Sequence, residues 1–401
     1  MPYRPGRPFL HTPGPTHIPE PVLNAMRRQP LDLADPEFLA ICKSCIADLK
    51  PVFGTTGDVV LYAANGHGGW EAVLANLFAP GDRLLIPEAG VFSASLREHA
   101  GALGIDVTGP SGSWRRAIDP QAVEDALRAD TERTIKAVFV VHIDTGTGIA
   151  SDLEAIRAAI DAAGHPALYL VDAVASLAAA PFAMDAWRID VAVTASQKAL
   201  MSPPGLAMVA FNGRALEVAR GTPALRRYWD WEFRSTASNY RMFGGTAPEQ
   251  TLFALRAALD LIAEQGLEAI FARHRRLAGA VQAAVECWCE AGALSFNALV
   301  PEERAVAVTT VLTPDGFNAE DLRSHVRETL GVSIAGGLRK LEGRAFRIGH
   351  LGDLNEPMVL GCLGAVETAL IELGIPHGRG GLDAAVRHLA KARAGIRKAA
   401  E

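Results

Sequence analysis

The residues of this chain best suited to chemistry stand just after apolar runs. Lys198 follows the run Ile189 to Thr194 by way of Ala195-Ser196-Gln197. Lysine is seldom buried unless it is paired or functional. A desolvated lysine amine has a lowered pKa and forms Schiff bases with carbonyl compounds. The alternative is a side chain that snorkels to the surface. Asp172 closes the run Ala167 to Val171. A carboxylate there must find a partner, because burying it bare is costly. A cationic ring nitrogen, a helix N-terminus or a buried arginine would each serve.

Two further segments stand in the same kind of place. Asn65-Gly66-His67-Gly68-Gly69 follows Val59 to Ala63 and precedes Trp70-Glu71. Glycines let a backbone approach an anion, and free N–H groups at a helix start favour phosphate. A tight strand-to-helix turn needs glycines in any case. The segment is neither G-x-G-x-x-G nor a Walker loop. His142-Ile143-Asp144-Thr145-Gly146-Thr147-Gly148 follows Ile135 to Val141. Its hydroxyls and glycines either line a ligand or cap the helix expected from about Ser151. The pair of Asp172 and Lys198 is sharper than any single segment. An aspartate at a pyridinium nitrogen and a lysine Schiff base at an aldehyde are the protein groups that pyridoxal phosphate chemistry requires.

The elements that must position these residues alternate. Strands are predicted at Val59 to Ala63, Arg83 to Ile86, Ile135 to His142, Ala167 to Val171, Ile189 to Thr194 and Leu206 to Phe211. Between them, Trp70, Val73, Leu74, Leu77 and Phe78 fall on one helix face. Residues 121–129 and 152–163 also read as helices. Short apolar strands alternating with helices predict an α/β fold, a mostly parallel sheet sandwiched by helices. Such sheets bind ligands at the carboxyl ends of their strands. A long amphipathic helix is predicted over 247–270. Beyond it, helices at 272–290, 319–330 and 356–373 and strands at Ala305 to Leu312 and Phe346 to Ile348 suggest a smaller α+β domain. A glycine-rich connector, Gly374 to Gly381, leads to a basic helix from about 382. The expected organisation is an N-terminal segment 1–20 serving the active site and the small domain, a large domain 21–262, and a small domain 263–401.

Composition narrows the class. A chain of 401 residues suits two domains, and 49% hydrophobic with 21% charged residues is ordinary for a soluble enzyme. A net charge of −6 argues against a general nucleic-acid binder. No apolar stretch is long enough to span a membrane. The Arg- and Pro-rich opening has no apolar run of secretory type, so a cytoplasmic protein is expected. Five cysteines are too sparse for a disulfide framework. Cys42 and Cys45, spaced C-x-x-C, lack a second ligand pair for zinc and read as two apolar side chains on one helix. No metal is expected.

With these motifs in view, the chain resembles the class V aminotransferases of fold type I, and within them the serine–glyoxylate and alanine–glyoxylate enzymes. The resemblance spans nearly the whole chain. It rests on Pro13-Gly14-Pro15-Thr16 with Ile18-Pro19, Asn65-Gly66-His67 before Trp70-Glu71, Gly90-Val91-Phe92, and Thr145-Gly146-Thr147-Gly148. It continues through Val171-Asp172-Ala173-Val174-Ala175-Ser176, Ser196-Gln197-Lys198-Ala199-Leu200, Pro203-Pro204-Gly205, Gly336-Gly337-Leu338 and Arg347-Ile348-Gly349-His350-Leu351-Gly352.

The resemblance implies pyridoxal 5'-phosphate as cofactor and a role for each matched residue. Lys198 would hold it as a Schiff base and shuttle the proton, and Asp172 would pair with its ring nitrogen. Phe92 would stack on the ring, Thr145 would hydrogen-bond it, and Val174 would contact it. Gly66, His67 and Gln197 would hold the phosphate, and Asn65 would also bind the cofactor. Thr246 would reach the phosphate of a neighbouring subunit, which implies a homodimer or larger homo-oligomer. Gly14 would contact the substrate, and Arg347 would bind its α-carboxylate. Small amino acids and 2-oxo acids such as glyoxylate or pyruvate are the implied substrates.

Three departures bear on the substrate. Phe243 stands where many relatives have Tyr, Asp144 where many have Glu, and the His-Arg of serine–glyoxylate types is missing near Leu33-Ala34. Asp35-Pro36 and His142-x-Asp144-Thr145 are instead similar to pyridoxamine–pyruvate aminotransferase. Arg339 and Lys340 could read an acidic substrate group or lie in a solvated loop. Trp229, Trp231 and Tyr240 could line the pocket mouth or a subunit interface. Two rivals remain. A cysteine-desulfurase-like lyase needs a mobile cysteine facing the substrate, and only Cys287 and Cys289 lie in the right part of the chain, beside Trp288. A non-catalytic binding protein would have little reason to keep Lys198, Asp172 and Arg347 together.

Overall fold

The computed structural model describes residues 6–224 and 226–400, with side chains to residue 394. The first five residues of the expected segment 1–20, and the last residue of the expected small domain, therefore lie outside the described residues.

The chain enters through β1 (Phe9–His11), α1 (Glu20–Ala25) and α2 (Pro36–Phe53), the last of which buries Cys42 and Cys45. The large unit then runs through β2 (Asp58–Ala63), α3 (Gly66–Leu77), β3 (Arg83–Leu85), α4 (Val91–Ala102), β4 (Asp106–Thr108), α5 (Pro120–Ala129) and β5 (Ile135–Val141). A two-stranded hairpin follows, β6 (Ile143–Asp144) and β7 (Ile149–Ala150). Next come α6 (Leu153–Ala162), β8 (Leu168–Asp172), β9 (Val191–Ala195), β10 (Leu206–Phe211), α7 (Gly213–Gly221), α8 (Trp231–Ser235) and α9 (Glu249–Gln265). The remainder is α10 (Leu267–Cys289), β11 (Ser295–Phe296), β12 (Val308–Leu312), α11 (Ala319–Glu328), β13 (Val332–Gly336), β14 (Ala345–Gly349), α12 (Glu356–Glu372) and α13 (Gly381–Ala400).

Seven strands form the large sheet in the order β2-β10-β9-β8-β5-β3-β4. All run parallel except β10, which is antiparallel to both β2 and β9. Alternate residues of β8 enter two different cores: Tyr169 and Val171 pack on one face of the sheet, Leu168 and Leu170 on the other. A strand covered on both faces has no polar side, which is why β8, β9 and β10 read as unbroken apolar runs. The smaller sheet has the order β1-β13-β14-β12-β11, with β1 parallel to β13. The N-terminal segment thus adds a strand to the smaller sheet.

Two expectations are corrected. The long helix expected over 247–270 is two helices, broken at Gly266, whose φ of +78° ends α9. Apolar periodicity continues across the break, so pattern alone does not reveal it. The strand expected from Ala305 starts at Val308.

Candidate active site

The carboxyl ends of β5, β8 and β9 open on one cavity of about 320 Å³. It is lined by Gly14, Asn65, Gly66, His67, Phe92, Thr145, Asp172, Val174, Gln197 and Lys198, ten of the residues singled out from sequence. Trp70, Ile143, Ala175 and two prolines, Pro15 and Pro204, complete the wall.

Lys198 is buried, and its Nζ donates to the Pro13 carbonyl at 2.5 Å. Burial, and secondarily the like charge of Arg347, pull its pKa down to about 8. The N-terminal segment fixes the lysine backbone: Thr16 N–H donates to the Gln197 carbonyl at 3.1 Å and Thr16 Oγ1 to the Lys198 carbonyl at 3.0 Å. Gly14 lets this segment pass close. A Cβ there would meet Lys198 Nζ at 2.4 Å, and its φ of +128° suits only glycine.

Asp172 ends β8, where its own carbonyl accepts from His142 N–H at 3.0 Å. Its Oδ1 accepts from Val174 N–H at 2.8 Å and its Oδ2 from Trp70 Nε1 at 2.9 Å. Burial pushes its pKa up to about 6 against these donors. A cationic ring nitrogen would restore the charged form, the state in which both donors are strongest.

The end of the cavity expected to take the phosphate is the start of α3. Asn65 Oδ1 caps the helix by accepting from Gly68 N–H at 3.2 Å. First-turn N–H groups have no intrahelical acceptor, and Gly66 and His67, which supply two of them, line the cavity. Gln197 Oε1 is buried without a partner among the described residues. His67 lies against Trp70, ring centroids 4.5 Å apart, and burial lowers its pKa. A buried lysine, a facing carboxylate and a helix start fit the aldehyde, ring nitrogen and phosphate of pyridoxal phosphate.

Two expected residues stand apart from the cavity wall. Arg347, on β14, is buried behind Thr145: its Nη1 donates to the Thr145 carbonyl at 2.8 Å and its Nε to the Gly336 carbonyl at 2.6 Å. Burial lowers its pKa to about 10. Thr246 is exposed on the loop after Phe243 and does not face the cavity of its own chain.

Some partners escaped the sequence reading. Trp70 was visible as an apolar position on a helix face and beside a matched motif, without a role of its own, yet its indole N–H holds Asp172. Asp144 is buried and accepts from the N–H groups of Phe92 (2.7 Å), Gly146 (2.9 Å) and Thr147 (3.0 Å), so it fixes both Phe92 and the Thr145 loop. Burial nevertheless raises its pKa. Arg339 and Lys340 do not line the cavity. Arg339 pairs with Glu98 and Ser95 of α4, and Lys340 lies 4.4 Å over the Trp114 ring, so this turn is tied to α4 and Trp114. Trp231 is wholly buried, stacked on Phe211 at 4.5 Å, and lines neither mouth nor surface. Cys287 Sγ donates to the Arg379 carbonyl, and neither it nor Cys289 faces the cavity, so the cysteine needed for a lyase of the desulfurase type is lacking among the described residues.

The chain matches the family model described as aminotransferase class-V over residues 9–342. It is 40% identical to the serine–glyoxylate aminotransferase of Methylorubrum extorquens over 93% of each chain. It is 37% identical to the L-aspartate–glyoxylate aminotransferase of Paracoccus denitrificans over 98% of each. The solved pyridoxamine–pyruvate aminotransferase of Mesorhizobium loti superposes with a TM-score of 0.88 at 29% identity, covering 98% of this chain and 100% of that one. With that family match and the site described above, the chain belongs to the class V aminotransferases, enzymes of fold type I that work with pyridoxal phosphate.

Proposed function

We propose that this chain moves the amino group of a small amino acid, such as serine or alanine, to a small 2-oxo acid such as glyoxylate or pyruvate. The observation that carries the reading is the placing of Lys198 and Asp172 on one cavity with Arg347 directly behind Thr145. Relatives named for serine–glyoxylate and L-aspartate–glyoxylate transfer support the choice of acceptor.

When bound, the cofactor supplies the aldehyde that takes up the amino group and the ring that delocalises the electrons of the broken bond. Lys198, poised near neutrality, removes the substrate α-proton as a general base and returns it. Asp172 keeps a proton on the ring nitrogen. Phe92 and Val174 enclose the ring and exclude water, and Thr145 hydrogen-bonds its edge. Asn65, Gly66, His67 and Gln197 receive the phosphate at the start of α3. Gly14 contacts the substrate, and Arg347 grips its carboxylate. Arg347 Nε and Nη1 each serve one carbonyl, which fixes the plane of the guanidinium and leaves the Nη2 donors for the carboxylate.

Thr246, exposed on its loop, is read as reaching a second copy of the chain, which makes the working form a homodimer or larger. The large unit is taken as 21–262 and the small one as 263–401, with 1–20 serving both. No helix among the described residues is long and apolar enough to cross a membrane; a cytoplasmic location is part of the proposal. A second reading, with pyridoxamine as donor, is favoured by the likeness to the Mesorhizobium loti enzyme.

The test is the visible absorbance of the purified holoenzyme, followed as single donors are added without acceptor. Serine or alanine should bleach the lysine-bound form and yield the matching 2-oxo acid, and glyoxylate or pyruvate should restore the colour. Bleaching by pyridoxamine alone selects the second reading. A holoenzyme whose colour no amino acid or pyridoxamine alters, and which matches Lys198→Ala in this, would overturn the assignment.

A further inference from the structure

Arg234 is 2% exposed and has no carboxylate partner among the described residues. Burying a lone cation is costly. Its surroundings offset that cost. The guanidinium lies between two rings, 4.3 Å from the centroid of Tyr62 and 4.6 Å from that of Tyr228. It donates to three carbonyls from three segments: Tyr228 at 2.8 Å, Leu61 of β2 at 3.1 Å and Met242 at 3.0 Å. Gly244 closes over it, since a Cβ there would sit 2.6 Å from Nη2 and its φ is +72°.

The cluster continues toward the cavity. Tyr62 Oη and Asn76 Nδ2 of α3 both donate to the Trp229 carbonyl, at 2.8 and 2.7 Å. The Trp229 ring packs on Tyr62 and Tyr228, centroids 5.2 and 4.9 Å away. Its far edge backs the first turn of α3: a Cβ at Gly68 would meet it at 3.4 Å. β2 itself leads directly into Asn65-Gly66-His67.

We propose that Arg234 is a positioning residue for the cofactor phosphate, acting through Trp229 on the Gly66–Gly68 turn. This rests on the reading that the turn receives the phosphate. A planar fork that joins three carbonyls between two ring faces cannot be replaced by a point charge. Without it, β2, the Trp229 ring and the start of α3 lose their common reference, and the phosphate N–H donors move out of register.

The test compares two ligands that form no Schiff base, pyridoxamine 5'-phosphate and pyridoxamine, bound to the full chain after removal of its cofactor. Arg234→Lys is expected to weaken the phosphorylated ligand about tenfold, the scale of one misplaced charge-assisted contact, and to leave pyridoxamine within about twofold. Trp229→Phe should do the same, and it stands in if Arg234→Lys fails to fold. Equal weakening of both ligands, or no change in either, overturns the proposal. Asn65→Ala separates the two levels. If it leaves the phosphate preference intact, the reading of the turn fails and the proposal falls with it. If it reduces the preference while Arg234→Lys and Trp229→Phe do not, only the role of Arg234 fails.

Discussion

Trp70 Nε1 donates to Asp172 Oδ2 at 2.9 Å, so a residue of the helix face governs the carboxylate at the end of β8. Burial drives Asp172 toward its neutral form, and the Val174 and Trp70 donors oppose it. Trp70→Phe keeps most of the ring and removes one donor. The pKa of Asp172 then rises further, and its hold on a protonated ring nitrogen weakens. A hydrogen bond to a charged group contributes about 1.5–3 kcal/mol. Single-turnover transamination should therefore slow by about tenfold or more at a temperature where the variant is still folded, although the smaller buried ring also lowers the melting temperature. An unaltered rate would remove Trp70 from the machinery.

How much of this was legible in sequence depends on where each side chain draws its partners. Asp172 and Lys198 could be found because strands buried on both faces show as apolar runs, and a charge that ends such a run stands out. The helix α4 could not. Ser93, Ser95, Arg97, Glu98 and His99 interrupt its apolar stripe, and its buried face is mainly Val91, Leu96 and Ala100. The short strand β13 escaped for a similar reason, since only Val332 and Ile334 alternate inward. Trp70 satisfied the helix pattern so well that its second task was hidden. The charge of Arg234 is offset by rings and carbonyls gathered from three segments, and no local spacing encodes that.

Lys198 predicts a pH dependence. Its pKa is lowered to about 8, first by burial and then by Arg347. The neutral amine that attacks an aldehyde therefore accumulates as pH rises through about 8. The rate at which the cofactor-stripped chain regains visible absorbance with pyridoxal phosphate should follow a midpoint there. Arg347→Gln removes a like charge and should move that midpoint upward. The same shift affects stability. The folded chain disfavours the ammonium, so the cost is fully present below about 8 and vanishes as pH rises toward the unfolded value of 10.5. A midpoint unmoved by Arg347→Gln would separate the two residues electrostatically.

Asp144 sets a third expectation. Three N–H groups converge on its carboxylate, one from α4 and two from the Thr145 loop. Asp144→Ala leaves them buried and unpaired, at about 1–3 kcal/mol for each such group. The loss should total about 3 kcal/mol or more in denaturant unfolding, with weaker cofactor binding because Phe92 and Thr145 both shift. Asp144→Asn retains an acceptor oxygen and should lose much less. Equal losses for the two variants would mean that charge, rather than accepting geometry, is what the site requires.

Acid should unfold the chain through its buried histidines. His274 accepts from Gly352 N–H at Nε2 and faces the Ile270 carbonyl at Nδ1, so it is neutral with its proton on Nδ1. His350 likewise faces the Val306 carbonyl at Nδ1 and Thr309 at Nε2. His11 faces the Gly349 carbonyl, and His142 Nδ1 is buried without a partner among the described residues. Burial lowers their pKa values to about 3 for His274 and about 4 for His11, His142 and His350, against 6.5 unfolded. The unfolded chain therefore takes up protons that the folded chain refuses, and stability falls as pH drops from 6.5 toward 4. Each proton contributes about 1.4 kcal/mol per pH unit. Near pH 5 the four histidines together take up about three to four protons on unfolding, and the raised carboxyl of Asp172, already protonated in the fold below about 6, offsets about one, so the net slope should approach about two to three protons, seen as a fall in the denaturant midpoint between pH 6 and 5. His274→Gln should lower that slope by about one proton. A stability flat across this range would mean that these histidines already carry charge in the fold, against the donor assignments at Gly352 and Thr309.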